Sequence, residues 1–358
     1  MTQVIRELTR LEPSSSIVIR SMAPRWFLDA ALPAPAVVVP VETDVGVVQP
    51  DSLSVDPDET ARRAAWFYGD FAARVDREAR ELRAMGTTLV VGDVPPLAFA
   101  AAARAGIPSM AIANFTWDWI YAAYARFPLL APGVLDVIAD AYAQATLALR
   151  LPFAGGFATF SGVEDIPLIA RAAPLTRDDA RGRLGLPGQD VPVVLASFGG
   201  HGLRLPLASA LGDGSLTLLL AGHESDAAAA ASDRLRMLTG EDLAARGLTY
   251  PDLVAAADVV LSKSGYGIVS ECIANGTPLV YASRGHFVEH EIFVRDMPRV
   301  LRCLEIDRDD LLAGHWTAAV RALLAQPAPP DTMRLDGARI AAERLVALAR
   351  QHAAVQRR

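Results

Sequence analysis

The chain has 358 residues, of which 52% are hydrophobic and 21% are charged, and its formal net charge is −7. A chain of this length and apolar content can bury a large core and is long enough for two domains. The net negative charge disfavours nucleic acid and anionic membranes as partners, because both are themselves negatively charged.

The two cysteines, Cys272 and Cys303, stand alone in the sequence. Isolated thiols form neither a disulfide framework nor a zinc site, which favours a reducing cytoplasm. The N-terminal residues lack the pattern of a signal peptide, and no apolar run approaches the roughly 20 residues that a membrane span needs. We therefore expect a cytoplasmic protein without a transmembrane segment, with peripheral attachment to the inner membrane face left open.

In the first half of the chain, short β-branched runs alternate with amphipathic stretches, as in βαβ units with a parallel sheet. Apolar residues at three- and four-residue spacings predict one long helix over residues 60–85. Pro95 and Pro96 begin a further helix that stops at Gly106. The strands predicted in this half cover residues 17–20, 36–39, 88–92 and 109–112.

A domain boundary is predicted near residues 172–176, where Thr176 can cap a new helix and Asp179 completes a capping box. The strands predicted after it cover residues 193–197, 216–221, 259–262 and 279–281. The expected fold is α/β, with two Rossmann-like doubly wound domains over residues 1–174 and 175–340. A C-terminal helix over 341–358 either stands alone or returns to the first domain. Ligands of such sheets bind beyond the carboxyl ends of the strands.

The segment richest in chemistry runs from Ala257 to Phe293 and reads ADVVLSKSGYGIVSECIANGTPLVYASRGHFVEHEIF. Its strand leads into a glycine-rich turn that opens a helix, where backbone amides and the helix N-terminus suit an anion. Lys263 and Ser264 add an ammonium and a hydroxyl group beside Gly265. Glu271, one to two turns into the helix, can accept hydrogen bonds from two vicinal ribose hydroxyls.

Two further stretches are predicted at the same edge of the second sheet. The loop after the next strand carries Arg284, His290 and Glu291. SFGGHG at residues 197–202 places Gly199 and Gly200 directly after a strand, where consecutive glycines suit phosphate oxygens. The plain alternative is that these glycines are ordinary turn residues and that Glu271 is a solvated helix residue.

In the first half, two carboxylates follow successive strands and are candidates for a general base. They are Asp93 in GDVPP and Asp118 in NFTWDW. The aromatic residues at 117–121 either stack on a sugar or pack in the core. An irregular loop around Asp44 and Asp51 is typical of binding rather than of packing.

These motifs resemble the donor-binding signature of GT-B glycosyltransferases: Ser-Gly, a Glu six residues later, Gly-x-Pro, and a polar pair after the next strand. GYGIVSE and NGTPLVY are most similar to the glycosyltransferase-like N-terminal region of L-arabinokinases. They are more distantly similar to the GlcNAc transferase that forms lipid II. ETDVGVVQPDSLSVD at residues 42–56 and the stretch from Val90 to Tyr121 extend the resemblance over nearly the whole chain.

The resemblance implies transfer of a sugar from a nucleotide-diphosphate-sugar such as a UDP-sugar to the hydroxyl of a small-molecule or lipid-linked acceptor. Neither a metal ion nor another cofactor is expected, since the resemblance is to metal-independent transferases, and Asp93 or Asp118 would supply the base. The predicted donor-binding residues are Gly199, Gly200, Lys263, Ser264, Gly265 and Arg284 at the diphosphate, Glu271 at the ribose, and His290 and Glu291 at the sugar.

The resemblance also implies a strand and an HGxGH-type loop ahead of the first helix, and the sequence starts at that helix, with MTQVIRELTR. A start upstream of Met1, a trimmed sequence and a natural protein without catalysis all explain this. Two alternatives to a transferase therefore stay open. One is a non-catalytic nucleotide-sugar binding or regulatory protein, and the other is an epimerase or hydrolase on the same fold.

Overall fold

The computed structural model describes residues 1–25, 28, 32, 36–186, 191–199, 203, 205–212, 214–221, 232–283, 285 and 287–356. They form two compact units. The first unit comprises Met1–Val48, Asp56–Ile169 and Arg334–Arg358, and the second comprises Gln49–Val55 and Ala170–Met333. Each unit is therefore built from segments that are distant from one another in the sequence.

The first unit contains two parallel sheets and the helices that cover them. Its described helices are α1 (Thr2–Leu11), α2 (Pro57–Gly69), α3 (Phe71–Ala84), α4 (Pro96–Ala105), α5 (Trp117–Ala122), α6 (Phe127–Leu130), α7 (Val134–Ala143) and α16 (Gly337–Gln356). Its described strands are β1 (Val18–Arg20), β2 (Val37–Val39), β3 (Val90–Gly92), β4 (Ser109–Ala113), β5 (Leu147–Arg150) and β6 (Val163–Asp165). β1 pairs with β2, and the larger sheet has the order β3-β4-β5-β6.

The long helix predicted over residues 60–85 is two helices, which is a correction to the expectation. α2 ends at Gly69, and Asp70 leaves the helical region with φ −113° and ψ 21° before α3 begins. Glycine is a poor helix former, which favours a break at this point. The apolar spacing continues across the break through Phe67 and Phe71, and so the sequence pattern did not reveal it.

The core of the first unit joins its two terminal helices to the larger sheet. Val4 of α1 and Leu345 of α16 are buried in one cluster with Met110, Leu149 and Ile166. The amphipathic terminal helices thus bury their apolar faces on the strands rather than against each other alone.

The second unit is built on a six-stranded, wholly parallel sheet. Its described helices are α8 (Arg177–Leu184), α9 (Leu207–Leu211), α10 (Gly240–Ala245), α11 (Tyr250–Ala256), α12 (Tyr266–Asn275), α13 (Glu289–Asp296), α14 (Arg308–Ala313) and α15 (Thr317–Leu324), with a 3₁₀ turn at Met297–Arg299. Its strands are β7 (Val193–Ala196), β8 (Thr217–Ala221), β9 (Leu235–Leu238), β10 (Val259–Lys263), β11 (Leu279–Ala282) and β12 (Cys303–Ile306).

The order of these strands is β12-β11-β10-β7-β8-β9. β7 and β10 are neighbours at the centre, with Val194 opposite Val259. From β7 the chain moves outward to one side, and from β10 it moves outward to the other. This reversal is the topological switch point at which parallel α/β sheets bind their ligands.

α8 is the first helix of the second unit, and Thr176 is its N-cap residue. The hydroxyl of Thr176 accepts a hydrogen bond from the backbone N–H of Asp179 and donates one to its carboxylate. Gly185 ends α8 in the left-handed conformation, with φ 61°. Thr176 thus caps α8 as predicted, whereas the predicted capping box is not formed, because the Asp179 carboxylate accepts from the Thr176 hydroxyl and not from its backbone N–H.

A short segment from the first half of the chain completes the second unit. Leu53 is fully buried in a core cluster with Val194, Phe198 and Trp316. Asp51 shapes the turn before it, because its carboxylate accepts a hydrogen bond of 2.7 Å from the Leu53 N–H. Asp51 therefore stabilises this turn.

The predicted α/β class with parallel sheets is confirmed, and the eight predicted strands are present within two residues of their expected bounds. The sequence pattern missed β5, which lies inside the larger sheet of the first unit, and it missed β6, β9 and β12, which lie at sheet edges. Edge strands often carry charged residues, and these three do, so their apolar alternation is weak. Within the described residues, no helix has the length and apolar character to cross a membrane.

We predict that Leu53→Ala lowers the free energy of unfolding by about 2–5 kcal/mol, because it opens a cavity in a packed core. Denaturant unfolding followed by tryptophan fluorescence measures this, with Trp316 in the same cluster. Leu312→Ala is the matched control, since Leu312 is 41% exposed, and a shift within about 0.5 kcal/mol is expected for it. Equal effects of the two substitutions would show that residues 49–55 do not belong to this core.

Candidate functional site

The candidate site of the second unit is built by the loops that leave the carboxyl ends of β7 and β10. Ser197–Gly199 follow β7, and Ser264 and Gly265 follow β10. The Ser197 N–H donates to the carbonyl of Leu261, and the Ser262 hydroxyl donates to the carbonyl of Ser197. These bonds extend the strand pairing into the loops and hold both at the switch point.

Gly199 and Lys263, predicted separately, are brought together. Gly199 has a φ of 72°, in the left-handed region that favours glycine. A Cβ placed on Gly199 would lie 3.7 Å from Lys263 Nζ, so the ammonium lies beside the backbone of the loop. An open backbone next to a positive charge suits a phosphate group.

Lys263 is the only lysine in the sequence, and the other 33 of its 34 Lys and Arg residues are arginines. An ammonium is a compact point charge, and a guanidinium is a larger planar group. Lys263 places such a point charge beside the Gly199 backbone. This contrast with the arginine-rich remainder of the chain is a sequence signal for the site.

The N-terminus of α12 is open. Gly265 is the N-cap residue, with an extended backbone of φ −145° and ψ 148°. A Cβ at Gly265 or Gly267 would meet no described atom within 4 Å. The first amides of a helix have no partner within it and carry partial positive charge. The glycines therefore leave space for an anion here and are not required by the backbone dihedrals.

Ser264 has a different environment from the one its predicted role suggested. It is fully buried, and its hydroxyl lies 3.1 Å from His290 Nδ1. His290 Nε2 lies 3.6 Å from Glu305 Oε1. The hydroxyl of Ser264 thus holds the imidazole ring in place, and the partly exposed Gly265 is the part of this turn available to a ligand.

Glu271 is a buried carboxylate on α12 and is 5% exposed. Arg171 Nε donates a hydrogen bond of 2.6 Å to Glu271 Oε1. Burial raises the pKa of Glu271, and the ion pair and hydrogen bond with Arg171 oppose that rise. Glu271 is therefore not the solvated helix residue of the plain alternative.

A chain of contacts links Glu271 to the loop after β7. Arg171 Cζ lies 5.9 Å from the centre of the Tyr250 ring, and the Tyr250 hydroxyl donates to Ser197 Oγ at 2.8 Å. Sequence reasoning did not identify Arg171, Tyr250 or Glu305 as site residues. Arg171 is 100 residues from Glu271 in the chain, and no local motif marks it.

The remaining predicted donor residues divide into two groups. Glu291 is exposed in the first turn of α13, and it forms none of the contacts above. Gly200 and Arg284 lie outside the described residues. In the described parts of the chain, no group of three or more His, Cys, Asp or Glu residues is arranged to hold a metal ion.

In the first unit, Asp93 directly follows β3. The residue is exposed to solvent, yet protein atoms surround it closely enough to raise the pKa of its carboxyl. The next residue, Val94, has a φ of 65°, which is strained for a β-branched side chain. The Tyr142 hydroxyl donates to the Val94 carbonyl at 2.8 Å and stabilises this turn. Such strain is often found at functional sites.

Asp44 is a second carboxylate in this part of the first unit. Its Oδ2 accepts a hydrogen bond of 2.9 Å from Trp117 Nε1. Burial raises the pKa of Asp44, and the neighbouring charge of Asp93 adds to the rise. The charge of Asp93 thus acts on a second carboxylate with a raised pKa near the end of β3.

The aromatic residues of α5 pack inside the first unit. Trp117 stacks on Tyr121 with ring centres 5.4 Å apart, and both side chains are buried. Asp118 Oδ2 accepts a hydrogen bond of 3.1 Å from Thr159, and its buried Oδ1 has no partner among the described residues. Of the two predicted bases, Asp93 is the more accessible to solvent.

No family model matches the sequence. Among curated proteins, an L-arabinokinase of Arabidopsis thaliana is 32% identical over 340 residues. The match covers 91% of this chain and 31% of the relative, so the chain spans about a third of that protein.

Solved structures show similarity over the whole chain. The glycotransferase of kitacinnamycin has a TM-score of 0.59 and 18% identity, over 99% of this chain and 94% of its own. The calicheamicin glycosyltransferase CalG4 has a TM-score of 0.56 and 18% identity, over 99% and 93%. Arabidopsis thaliana UGT89C1 complexed with UDP-L-rhamnose has a TM-score of 0.56 and 13% identity, over 97% and 93%. The chain has the GT-B glycosyltransferase fold, and it is similar in sequence to a plant L-arabinokinase over most of its own length.

Proposed function

We propose that this protein transfers a sugar from a nucleotide-diphosphate-sugar, with UDP as the nucleotide, to an acceptor hydroxyl without a metal ion. One observation carries the proposal. Gly199, Lys263 and the open N-terminus of α12 lie at the switch point of the second sheet, and Glu271 lies on the helix that starts there.

The diphosphate is the leaving group, and its negative charge must be stabilised as the bond to the sugar breaks. The Lys263 ammonium, the backbone around Gly199 and the first amides of α12 supply positive potential in fixed positions. Preorganised donors of this kind can take the place of a metal ion. Gly200 and Arg284 stay in the proposed diphosphate set on the basis of the sequence alone.

The ribose and the donor sugar are assigned to residues on α12 and α13. Glu271 accepts hydrogen bonds from the ribose hydroxyls, in line with its position within α12. His290 and Glu291, at the start of α13, are placed at the donor sugar. Because Ser264 and Glu305 contact opposite nitrogens of His290, its ring is held in one orientation for this contact.

Asp93 is proposed as the base that removes the proton from the acceptor hydroxyl. A carboxylate with a raised pKa takes up a proton more readily, which suits general base catalysis near neutral pH. Asp118 remains the second candidate from the sequence. Its bond to Thr159 and its buried oxygen make it less available to a substrate.

The names of the similar proteins support the chemistry at a coarser level. Two of the structures are described as glycosyltransferases, and a third was solved with UDP-L-rhamnose. The curated relative is an L-arabinokinase.

We predict that UDP protects Lys263 from chemical modification. As the only lysine, Lys263 supplies the only ε-amino group of the protein, and mass spectrometry after reductive methylation reads its reactivity directly. UDP or a UDP-sugar at about ten times its Kd or more should slow this modification at least about tenfold, and the protection should be lost in Glu271→Ala at the same ligand concentration.

Calorimetry on variants completes this test. Lys263→Ala and Glu271→Ala should each weaken UDP binding about tenfold or more, which corresponds to about 1.4 kcal/mol. Arg308→Ala, on α14 of the same unit, should bind like the wild type. Absence of protection together with absence of binding for UDP, GDP and dTDP sugars would refute the donor site. Binding without UDP release would favour the non-catalytic alternative, and UDP release without any acceptor would favour a hydrolase.

We predict that Asp93→Asn slows UDP release from a UDP-sugar at least about 100-fold, the usual scale for loss of a general base. Asp118→Asn and the surface variant Asp140→Asn should keep most of the activity. If Asp118→Asn is inactive while Asp93→Asn is active, the assignment of the base must be exchanged.

The thermal stability of Asp93→Asn should also depend on pH in a defined direction. Because the pKa of Asp93 is raised in the folded state, its contribution to stability is present at low pH and is lost as the pH rises through that pKa. The melting temperature of Asp93→Asn relative to the wild type should therefore increase from pH 4 to pH 7.5. A difference that is constant over this range would contradict the raised pKa.

A further inference from the structure

Arg171 contacts the proposed ribose ligand through one of its two oxygens. Arg171 Nε donates to Glu271 Oε1 at 2.6 Å, and a second guanidinium nitrogen pairs with the same oxygen. The Glu271 side chain is 6% exposed, whereas that of Arg171 is 40% exposed. Oε1 is thus occupied by the arginine, and Oε2 retains its capacity to accept hydrogen bonds.

The backbone around Arg171 is fixed to the same helix. Asn275 Nδ2 donates to the carbonyls of Arg171 and Glu271, at 3.2 and 2.8 Å. Its Oδ1 accepts a hydrogen bond of 2.7 Å from the N–H of Ala173. A single amide side chain therefore joins the backbones of both members of the ion pair, which holds the arginine in register with the carboxylate.

The guanidinium also lies near an aromatic ring. Arg171 Cζ is 5.9 Å from the centre of Tyr250, whose hydroxyl is bonded to Ser197. A cation at this distance from an aromatic ring is attracted by its π-electrons. The position of Arg171 is thus set by Glu271 and Asn275 on α12 and by Tyr250 on α11.

A buried carboxylate without a positive partner tends to be neutral, because burial disfavours its charged form. The neutral form carries a proton and is a poorer acceptor for a hydroxyl group. Arg171 opposes the effect of burial at Glu271. Its geometry also orients the carboxylate, since both contacts fall on Oε1.

We infer that Arg171 is a positioning residue of the nucleotide site, which keeps Glu271 charged and directs Oε2 to the ribose hydroxyls of the bound nucleotide. The inference rests on the proposed donor site. It adds a residue that contacts the ligand only through Glu271, from the segment that leads into the second unit.

Two other titratable groups face Glu271. Among the described residues they are Tyr250 and Cys272, and burial raises the pKa of both, so both stay neutral between pH 5.5 and 8.5. Arg171 is the one cation that acts on Glu271 among the described residues. A change in the pH dependence of nucleotide binding after substitution of Arg171 therefore reports on Glu271.

The test compares Arg171→Ala, Arg171→Lys and Arg177→Ala by calorimetry with UDP between pH 5.5 and 8.5. Arg177 is the matched control, because its side chain is 42% exposed and pairs with Asp258 rather than with Glu271. Relative to the wild type, Arg171→Ala should weaken binding about tenfold or more at low pH, with recovery as the pH rises and Glu271 ionises. Arg171→Lys should restore most of the affinity, and Arg177→Ala should match the wild type throughout.

A loss of affinity in Arg171→Ala that is independent of pH, or that lysine does not rescue, would overturn the inference while leaving the donor site in place. If the wild type binds no nucleotide, the proposed function itself fails, and with it the ribose contact of Glu271.

A measurement without ligand then decides whether Arg171 keeps Glu271 charged. In Arg171→Ala the pKa of Glu271 should rise further, so stability present at low pH is lost as the pH rises. The double variant Arg171→Ala/Glu271→Gln should therefore melt at the same temperature as Arg171→Ala at pH 5 and at a higher temperature at pH 8. If the two variants melt at the same temperature at both pH values, Arg171 does not keep Glu271 charged, and the inference is refuted on this point too.

Discussion

The parallel pairing of β7 with β10 is the constraint on which the rest of the second unit depends. Their register places Val194 opposite Val259 and Ala196 opposite Leu261, and the chain leaves these strands in opposite directions. Asp258 secures the other end of the pair, since its carboxylate accepts hydrogen bonds from the Val193 N–H and from Arg181. The two loops that would hold the diphosphate are thus spaced by strand geometry, and no dedicated scaffold is needed for them.

The sequence was sufficient to predict those features whose residues lie close together in the chain. The segment from β10 to α13 contains its strand, its glycine turn and Glu271 in one continuous stretch. Most interior strands show a clear apolar pattern, although the interior strand β5 was missed. The edge strands were missed because Glu164, Arg236 and Glu305 interrupt their patterns. Arg171 could not be found in this way, because an ion pair between residues so distant in the chain exists only after the sheet has formed.

The break between α2 and α3 shows a second limit of pattern reading. Apolar periodicity reports which face of a segment is buried, and one non-helical residue hardly changes that face. Asp70 alone leaves the helical region between the two helices. In the same way, the sequence allowed the aromatic residues of α5 either to bind a ligand or to pack in the core. Trp117 and Tyr121 are in fact stacked in the interior.

The first unit combines features that oppose stability at one position. Asp93 is a carboxylate in crowded surroundings, and the left-handed Val94 follows it directly. Proteins retain such features where the surrounding structure compensates for them, here through the bond from Tyr142 to the Val94 carbonyl. The raised pKa and the strained turn thus occur together at the end of one strand.

The exchange of segments between the units has a consequence for how the chain folds during synthesis. The second unit needs Leu53, which leaves the ribosome long before β7 does, and the first unit needs α16, which leaves it last. The first unit therefore cannot close its core until the second has been translated, although domains are usually completed in order from the N-terminus. Neither unit corresponds to a continuous stretch of the gene, so a cut near residue 170 would separate each core from one of its own parts.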